Sequence, residues 1–283
     1  MRATLASGQT FAFVRADEAY APDKFYGVVA ERPVEINSLR DGGYEITGQP
    51  GSAGFWNNYF DLDTSYDEIL RNYIDTEDTK NNENDRYGAG RRFLTKCVGA
   101  FGGLRLLRQP VWEAVCEFII SANNHQKRIE SIYRRLSESY GEPVEWAGAQ
   151  LRSFPSAERL ARANEEELRA TGLGYRAGYI LETAKIINKN GLPDLDRLEY
   201  EEALKYLVSL RGVGEKVADC VLLFSTAHKK AFPVDVWIER ALRNYYGMSG
   251  SRHAIKLEAQ RYFGDAAGIA QQFIFHGMRT KLI

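Results

Sequence analysis

Residues 207–242 set the strictest limits on how this chain can fold. They read LVSLRGVGEKVADCVLLFSTAHKKAFPVDVWIERAL. A helical pattern runs to Leu210, stops at Gly212-Val213-Gly214 and resumes at Glu215. Pro233 ends that second pattern, and Asp235 stands ahead of a third. Helices joined by so short a turn form a hairpin. Glycine permits positive φ there, and the turn's amides, with the positive end of the next helix, can hold a phosphate. The turn alone is weak, since Gly-x-Gly is commonly just a helix–helix connection. It is no dinucleotide fingerprint, because no strand precedes it and no third glycine follows.

Lys216 narrows the choice. An amine near a low-dielectric wall or a second cation has a lowered pKa and is partly neutral at pH 7. A neutral amine can displace a base from a sugar C1′ and form a Schiff base. Asp235, at a helix start that favours a carboxylate, can stabilise positive charge on that sugar or help activate the nucleophile. Singly, an exposed helix lysine and a capping aspartate explain these two residues. Together with the hairpin, they point to covalent chemistry on nucleic acid.

A chain of 283 residues can bury one large core or two modest ones. Cys97, Cys116 and Cys220 are scattered and odd in number, which suits a reducing compartment and excludes a four-cysteine cluster. The first residues lack a basic segment followed by an apolar run, and no stretch is long and apolar enough to span a bilayer. A soluble, cytoplasmic protein without membrane association is therefore expected. Net charge is −1, yet residues 1–88 hold 8 Lys/Arg against 16 Asp/Glu, and residues 89–283 hold 29 against 22. The second part can present a phosphate-binding face.

The order of patterns predicts an α+β chain. Short β-prone runs at 10–14, 25–29 and 44–47 predict an N-terminal antiparallel sheet domain over 1–88. Residues 56–70 read as helical and 75–90 as an Asn-rich loop. From Pro110 the pattern is helical almost throughout, with caps at Ser156 and Asn164. This predicts a helical domain over 89–283 with its hairpin at about 199–227.

These blocks resemble the 8-oxoguanine branch of the helix-hairpin-helix DNA glycosylases. The hairpin followed by Val217-Ala218-Asp219-Cys220 and Pro233-Val234-Asp235-Val236 carries the likeness first. Ser7-Gly8-Gln9-Thr10-Phe11, Leu106-Leu107-Arg108-Gln109, Ser121-Ala122-Asn123-Asn124 with Arg128, and Gly172-Leu173-Gly174-Tyr175-Arg176 add to it in the same order. The resemblance implies a bifunctional glycosylase and AP lyase, with a twisted sheet and two helical subdomains flanking its site. Its partner would be duplex DNA containing 8-oxoguanine opposite cytosine. It would need no cofactor and no metal, and would act as a monomer associated with the nucleoid of a prokaryote.

Roles follow from the same resemblance. Lys216 would be the nucleophile and Asp235 its acidic partner. The Gly8 carbonyl would accept from N7–H of 8-oxoguanine. Guanine presents an acceptor at N7, and an unpaired buried acceptor costs about 1–3 kcal/mol. Cys220 and Phe275 would sandwich the flipped base, and Gln271 would read its Watson–Crick edge. Asn123 would fill the gap in the duplex, with Tyr175 as a wedge, while Arg128 and Arg176 would contact the orphaned cytosine. Gly212, Val213 and Gly214 would bind phosphate. Trp237 departs from the pattern, since better-known eukaryotic members have a histidine there; a Trp can donate one N–H but cannot titrate.

Three other readings compete. A glycosylase for another lesion would keep Asp235 without needing Lys216. A non-catalytic DNA-binding module would use the hairpin alone. A metal-dependent nuclease would use acids such as Asp61, Asp63, Asp75 and Asp78, which sit in a polar, Asn-rich stretch better suited to a solvated face.

Overall fold

The computed structural model describes residues 1–15, 24–39, 43–74, 85–146 and 149–282. A short helix, α1 (Arg2–Ala6), leads into an antiparallel sheet of β1 (Phe13–Arg15), β2 (Lys24–Val29), β3 (Arg32–Ser38) and β4 (Tyr44–Gly48), in that spatial order. Alternation buries Phe25, Val34 and Ile36 on one face. Phe13 meets Tyr59 and Phe60 with ring centroids 6.1 and 6.2 Å apart.

The strand expected at 10–14 forms only from Phe13. Side chains take the hydrogen bonds that a ladder would have used: Gln109 Nε2 donates to the Gln9 carbonyl at 2.7 Å, and Phe11 N donates to Glu117 Oε1 at 2.9 Å. The sequence patterns also missed β3. Its hairpin turns at Ala30 and Glu31, both at positive φ (47° and 61°) without a glycine or asparagine to announce it. Pro33 pairs with Val28, but the pairing to β4 begins only at Val34, so the missing N–H interrupts no bond to β4.

The helix expected at 56–70 is two, α2 (Ala53–Tyr59) and α3 (Tyr66–Leu70). Asp61 breaks it at φ 48°, accepting from the hydroxyls of Thr64 and Tyr66 at 2.7 and 2.8 Å. Asp75 and Asp78 lie outside the described residues, as does most of the loop expected at 75–90.

The body follows with α4 (Gly88–Phe101), α5 (Val111–Ser121), α6 (Gln126–Tyr140), α7 (Ala157–Ala161), α8 (Glu165–Leu168) and α9 (Arg176–Asn190). It ends with α10 (Tyr200–Val208), α11 (Glu215–Ser225), α12 (Val236–Tyr246), α13 (Arg252–Phe263) and α14 (Ala267–Arg279). Ser156 and Asn164 cap α7 and α8 as expected. A hairpin of β5 (Pro143–Trp146) and β6 (Ala149–Arg152) interrupts a stretch expected to be helical. No helix among the described residues is long and apolar enough to cross a membrane.

Helix α5 packs on α6, α9 and α11, while α14 packs on α4, α12 and α13. The hairpin α10–α11 is tied to α13 by Lys256, whose Nζ lies 2.6 Å from Asp219 and 2.9 Å from Glu215. Asp219 also accepts from the Tyr200 hydroxyl. Removing one partner of so buried a pair costs about 3–5 kcal/mol.

Candidate active site

Two helices each offer the cleft a row spaced by four residues, which places each row on one helical face. From α11 come Lys216, Cys220 and Phe224; from α14 come Gln271, Phe275 and Arg279. Asp235, at the N-cap of α12, and Trp237, on its first turn, form another wall. Ser7, Gly8 and Phe11 form a strap across from them, and Phe118 and Asn124 close the side formed by α5. The cleft has a volume of about 300 Å³. Thus Gly8, Lys216, Cys220, Asp235, Gln271 and Phe275, chosen from segments far apart in sequence, meet at one cavity.

Lys216 Nζ lies 5.9 Å from the centre of the Phe118 ring. Its pKa is raised above the usual lysine value by the Cys220 sulfur and, more weakly, by Asp235; desolvation opposes them. The direction is opposite to the expected lowering: the Cys220 sulfur and Asp235 together outweigh desolvation. Lys216 is an ammonium at rest and must lose a proton before it can attack. Burial pushes the Cys220 thiol up to about 11, so it is not a competing nucleophile at neutral pH.

Asp235 Oδ1 accepts from Trp237 N at 3.0 Å and Ile238 N at 2.9 Å. Its Oδ2 makes no hydrogen bond to another described residue, leaving one oxygen for the cleft. Gln271 is buried; its Nε2 donates to the Pro233 carbonyl at 3.0 Å, and its Oε1 has no partner among the described residues. A buried orphan acceptor in a cavity wall calls for a donor from a bound molecule. Gly8 adopts φ 83°, and its strap is held by Arg279, whose Nη1 donates to the Ser7 carbonyl at 3.0 Å.

The remaining residues lie outside the cleft. Asn123, at φ 51°, is exposed at the turn between α5 and α6, with Asn124 behind it in the cleft wall. Tyr175 is 49% exposed at the start of α9. Arg176 is buried and joins these two loops: it stacks 4.4 Å from the Tyr175 ring centre and donates to the carbonyls of Ala122 and Asn123. Its Nη1 donates among the described residues only to the Leu173 carbonyl, at 3.5 Å, so one N–H remains for an orphaned base. Arg128 is exposed on the first turn of α6.

In the hairpin, Gly212 adopts φ 85° and Val213 is buried. The amides of Gly214, Glu215 and Lys216 make no hydrogen bond to another described residue, leaving the helix's first donors open. Arg279 and Phe118 escaped the sequence analysis. Arg279 could have been found, since it continues the spacing of Gln271 and Phe275.

A hairpin with open amides beside a cleft holding lysine and aspartate defines a helix-hairpin-helix protein of the base-excision kind. Residues 116–263 match the family described as "HhH-GPD superfamily base excision DNA repair protein", and residues 1–115 match "8-oxoguanine DNA glycosylase, N-terminal domain". The chain belongs to the HhH-GPD superfamily. It is 35% identical over 174 residues to the N-glycosylase/DNA lyase of Saccharomyces cerevisiae, covering 56% of this chain and 46% of that protein. It is 33% identical over 213 residues to the probable N-glycosylase/DNA lyase of Methanothermobacter thermautotrophicus, covering 67% and 68%. Thus the chain spans about half the length of the yeast protein. The Clostridium acetobutylicum 8-oxoguanine glycosylase/lyase, in complex with duplex DNA containing cytosine opposite 8-oxoG, superposes with a TM-score of 0.85. That structure is 29% identical, and the match covers 100% of this chain and 92% of that one.

Proposed function

We propose that this protein is a DNA glycosylase and AP lyase that excises 8-oxoguanine opposite cytosine from duplex DNA. The observation that carries this reading is the meeting of Lys216 and Asp235 at a cavity whose other walls suit a flipped base. Phe275 and Cys220 offer faces for stacking, and the Gly8 carbonyl meets N7–H. The orphan Gln271 Oε1 accepts from the Watson–Crick edge of the base.

Lys216 gives a proton to water in the cleft, and its Nζ attacks C1′. The C1′–N9 bond breaks with its electron pair on the base, while the Asp235 carboxylate stabilises positive charge on the sugar. Opening of C1′–O4′ gives a protonated imine. Loss of a proton from C2′ then expels the 3′ phosphate and cuts the strand. Asn123 and Tyr175 occupy the vacated duplex, and Arg128 and Arg176 meet the cytosine. The Val213 amide is spent on the Leu210 carbonyl, so the open amides from Gly214 onward hold phosphate where the hairpin turns at Gly212–Gly214. The enzyme works as a monomer on nucleoid DNA in a prokaryotic cytoplasm, without a cofactor.

Borohydride trapping on 8-oxoguanine duplex tests the central bond. The wild type yields a covalent adduct and Lys216→Gln yields none. A wild type that forms no adduct, or a variant that does, removes Lys216 from this role.

A further inference from the structure

Arg279 ends the α14 row that faces the cleft, and the roles given above do not use it. Its Nη1 stands 2.9 Å from where a Cβ on Gly8 would lie, so the guanidinium packs against that glycine. Its central carbon is 6.0 Å from the centre of the Phe275 ring. One hydrogen bond, to the Ser7 carbonyl, holds it. No other acceptor among the described residues takes its remaining N–H groups, and it pairs with no carboxylate within ion-pair distance. Asp235 and Glu130 act on it only through space. A half-buried cation with spare donors, fixed at a cavity wall, is prepared for an acceptor from outside the protein.

The glycosylase reading, on which this inference rests, supplies such an acceptor. Breaking C1′–N9 leaves the electron pair on the purine, and in an oxidised purine the charge spreads onto the C8 carbonyl oxygen. Arg279 lies beside Gly8, at the edge of the base where N7 and C8 are adjacent. We propose that Arg279 donates a hydrogen bond to the C8 carbonyl of the flipped base and stabilises the anion as that base departs. Nζ–C1′ forms as C1′–N9 breaks, and the proton released from the new ammonium neutralises the purine. Guanine carries C8–H instead of a carbonyl, so the contact also selects the oxidised base.

The test compares two substrates under single-turnover conditions. One duplex carries 8-oxoguanine opposite cytosine; the other carries a preformed abasic site, from which no base has to leave. Arg279→Met slows excision from the first by about a hundredfold, the size expected for a lost donor to developing charge. Its loss in borohydride trapping on the abasic duplex is at least tenfold smaller, which also shows that the variant folds. Arg279→Lys recovers part of the excision rate. Equal losses on both substrates mean a structural role and overturn the proposal, as does undiminished excision by Arg279→Met beside an active wild type. A wild type that excises nothing overturns the glycosylase reading and this proposal with it.

Discussion

Asp235 divides its work between its two oxygens. Oδ1 caps α12 through two amides, while Oδ2 is left for the cleft. Asparagine keeps a capping oxygen and removes the charge, and the two residues are near-equal at N-caps. Asp235→Asn should therefore shift stability by less than ~1 kcal/mol and slow base excision by about a hundredfold or more. Thermal unfolding and single-turnover excision check this; a variant that unfolds early yet excises at the wild-type rate would reduce Asp235 to a cap. Lys216, Cys220 and Asp235 were legible because they stand in or beside recognisable blocks, whereas Gln271 and Phe275 followed only from the family resemblance. The charge state of Lys216 was not, because it depends on the sulfur and carboxylate that folding sets around it. The spacing along α14 pointed to Arg279, but its contact with Ser7 was hidden, because that residue is at the other end of the chain.

The hairpin was legible as an element because a glycine turn between two apolar periodicities has few alternatives. The strap before β1 was not, because its backbone partners are side chains of distant residues such as Glu117 and Gln109. The β5–β6 hairpin lacked alternation long enough to stand out from the helices around it. A Cβ on Gly212 would lie 2.6 Å from the ring of Tyr179, which itself meets Tyr175 edge-on at 5.7 Å. Gly212→Ala thus strains a left-handed residue by about 1–2 kcal/mol and pushes on the element that presents Tyr175. Duplex affinity should fall about tenfold, the equivalent of 1.4 kcal/mol, with or without a lesion, while the excision rate at saturating DNA is retained. Fluorescence anisotropy and single-turnover kinetics separate the two. Unchanged affinity would place the hairpin away from DNA.

Across the whole molecule, two buried carboxylates on α5 join the helical body to the N-terminal segments. Glu113 Oε1 accepts from Ala30 N at the β2–β3 turn at 3.1 Å, and Glu117 holds Thr10 and Phe11 of the strap. Cys116, Tyr59 and Tyr133 are buried nearby; the groups that favour ionisation are backbone amides and the Thr10 hydroxyl, with no cation among them. Burial is the main cause that raises both acids, Glu113 up to about 7. An unfolded glutamate titrates near 4.3, so above that pH the unfolded chain has released a proton that folded Glu113 retains. Its contribution is fully present below the unfolded pKa and is lost as pH rises toward and through 7. For Glu113 alone the loss is on the order of 3 kcal/mol, and Glu117 acts in the same direction. Denaturant unfolding should show the wild type losing stability from pH 5 to pH 8. Glu113→Gln, which keeps an acceptor for Ala30 N and cannot ionise, should flatten that slope. Identical slopes for the two proteins would mean that the join is not titrated in this range. A flattened slope would mean that the contact between sheet and body loosens as the medium becomes alkaline, and with it the support of the strap that carries Gly8.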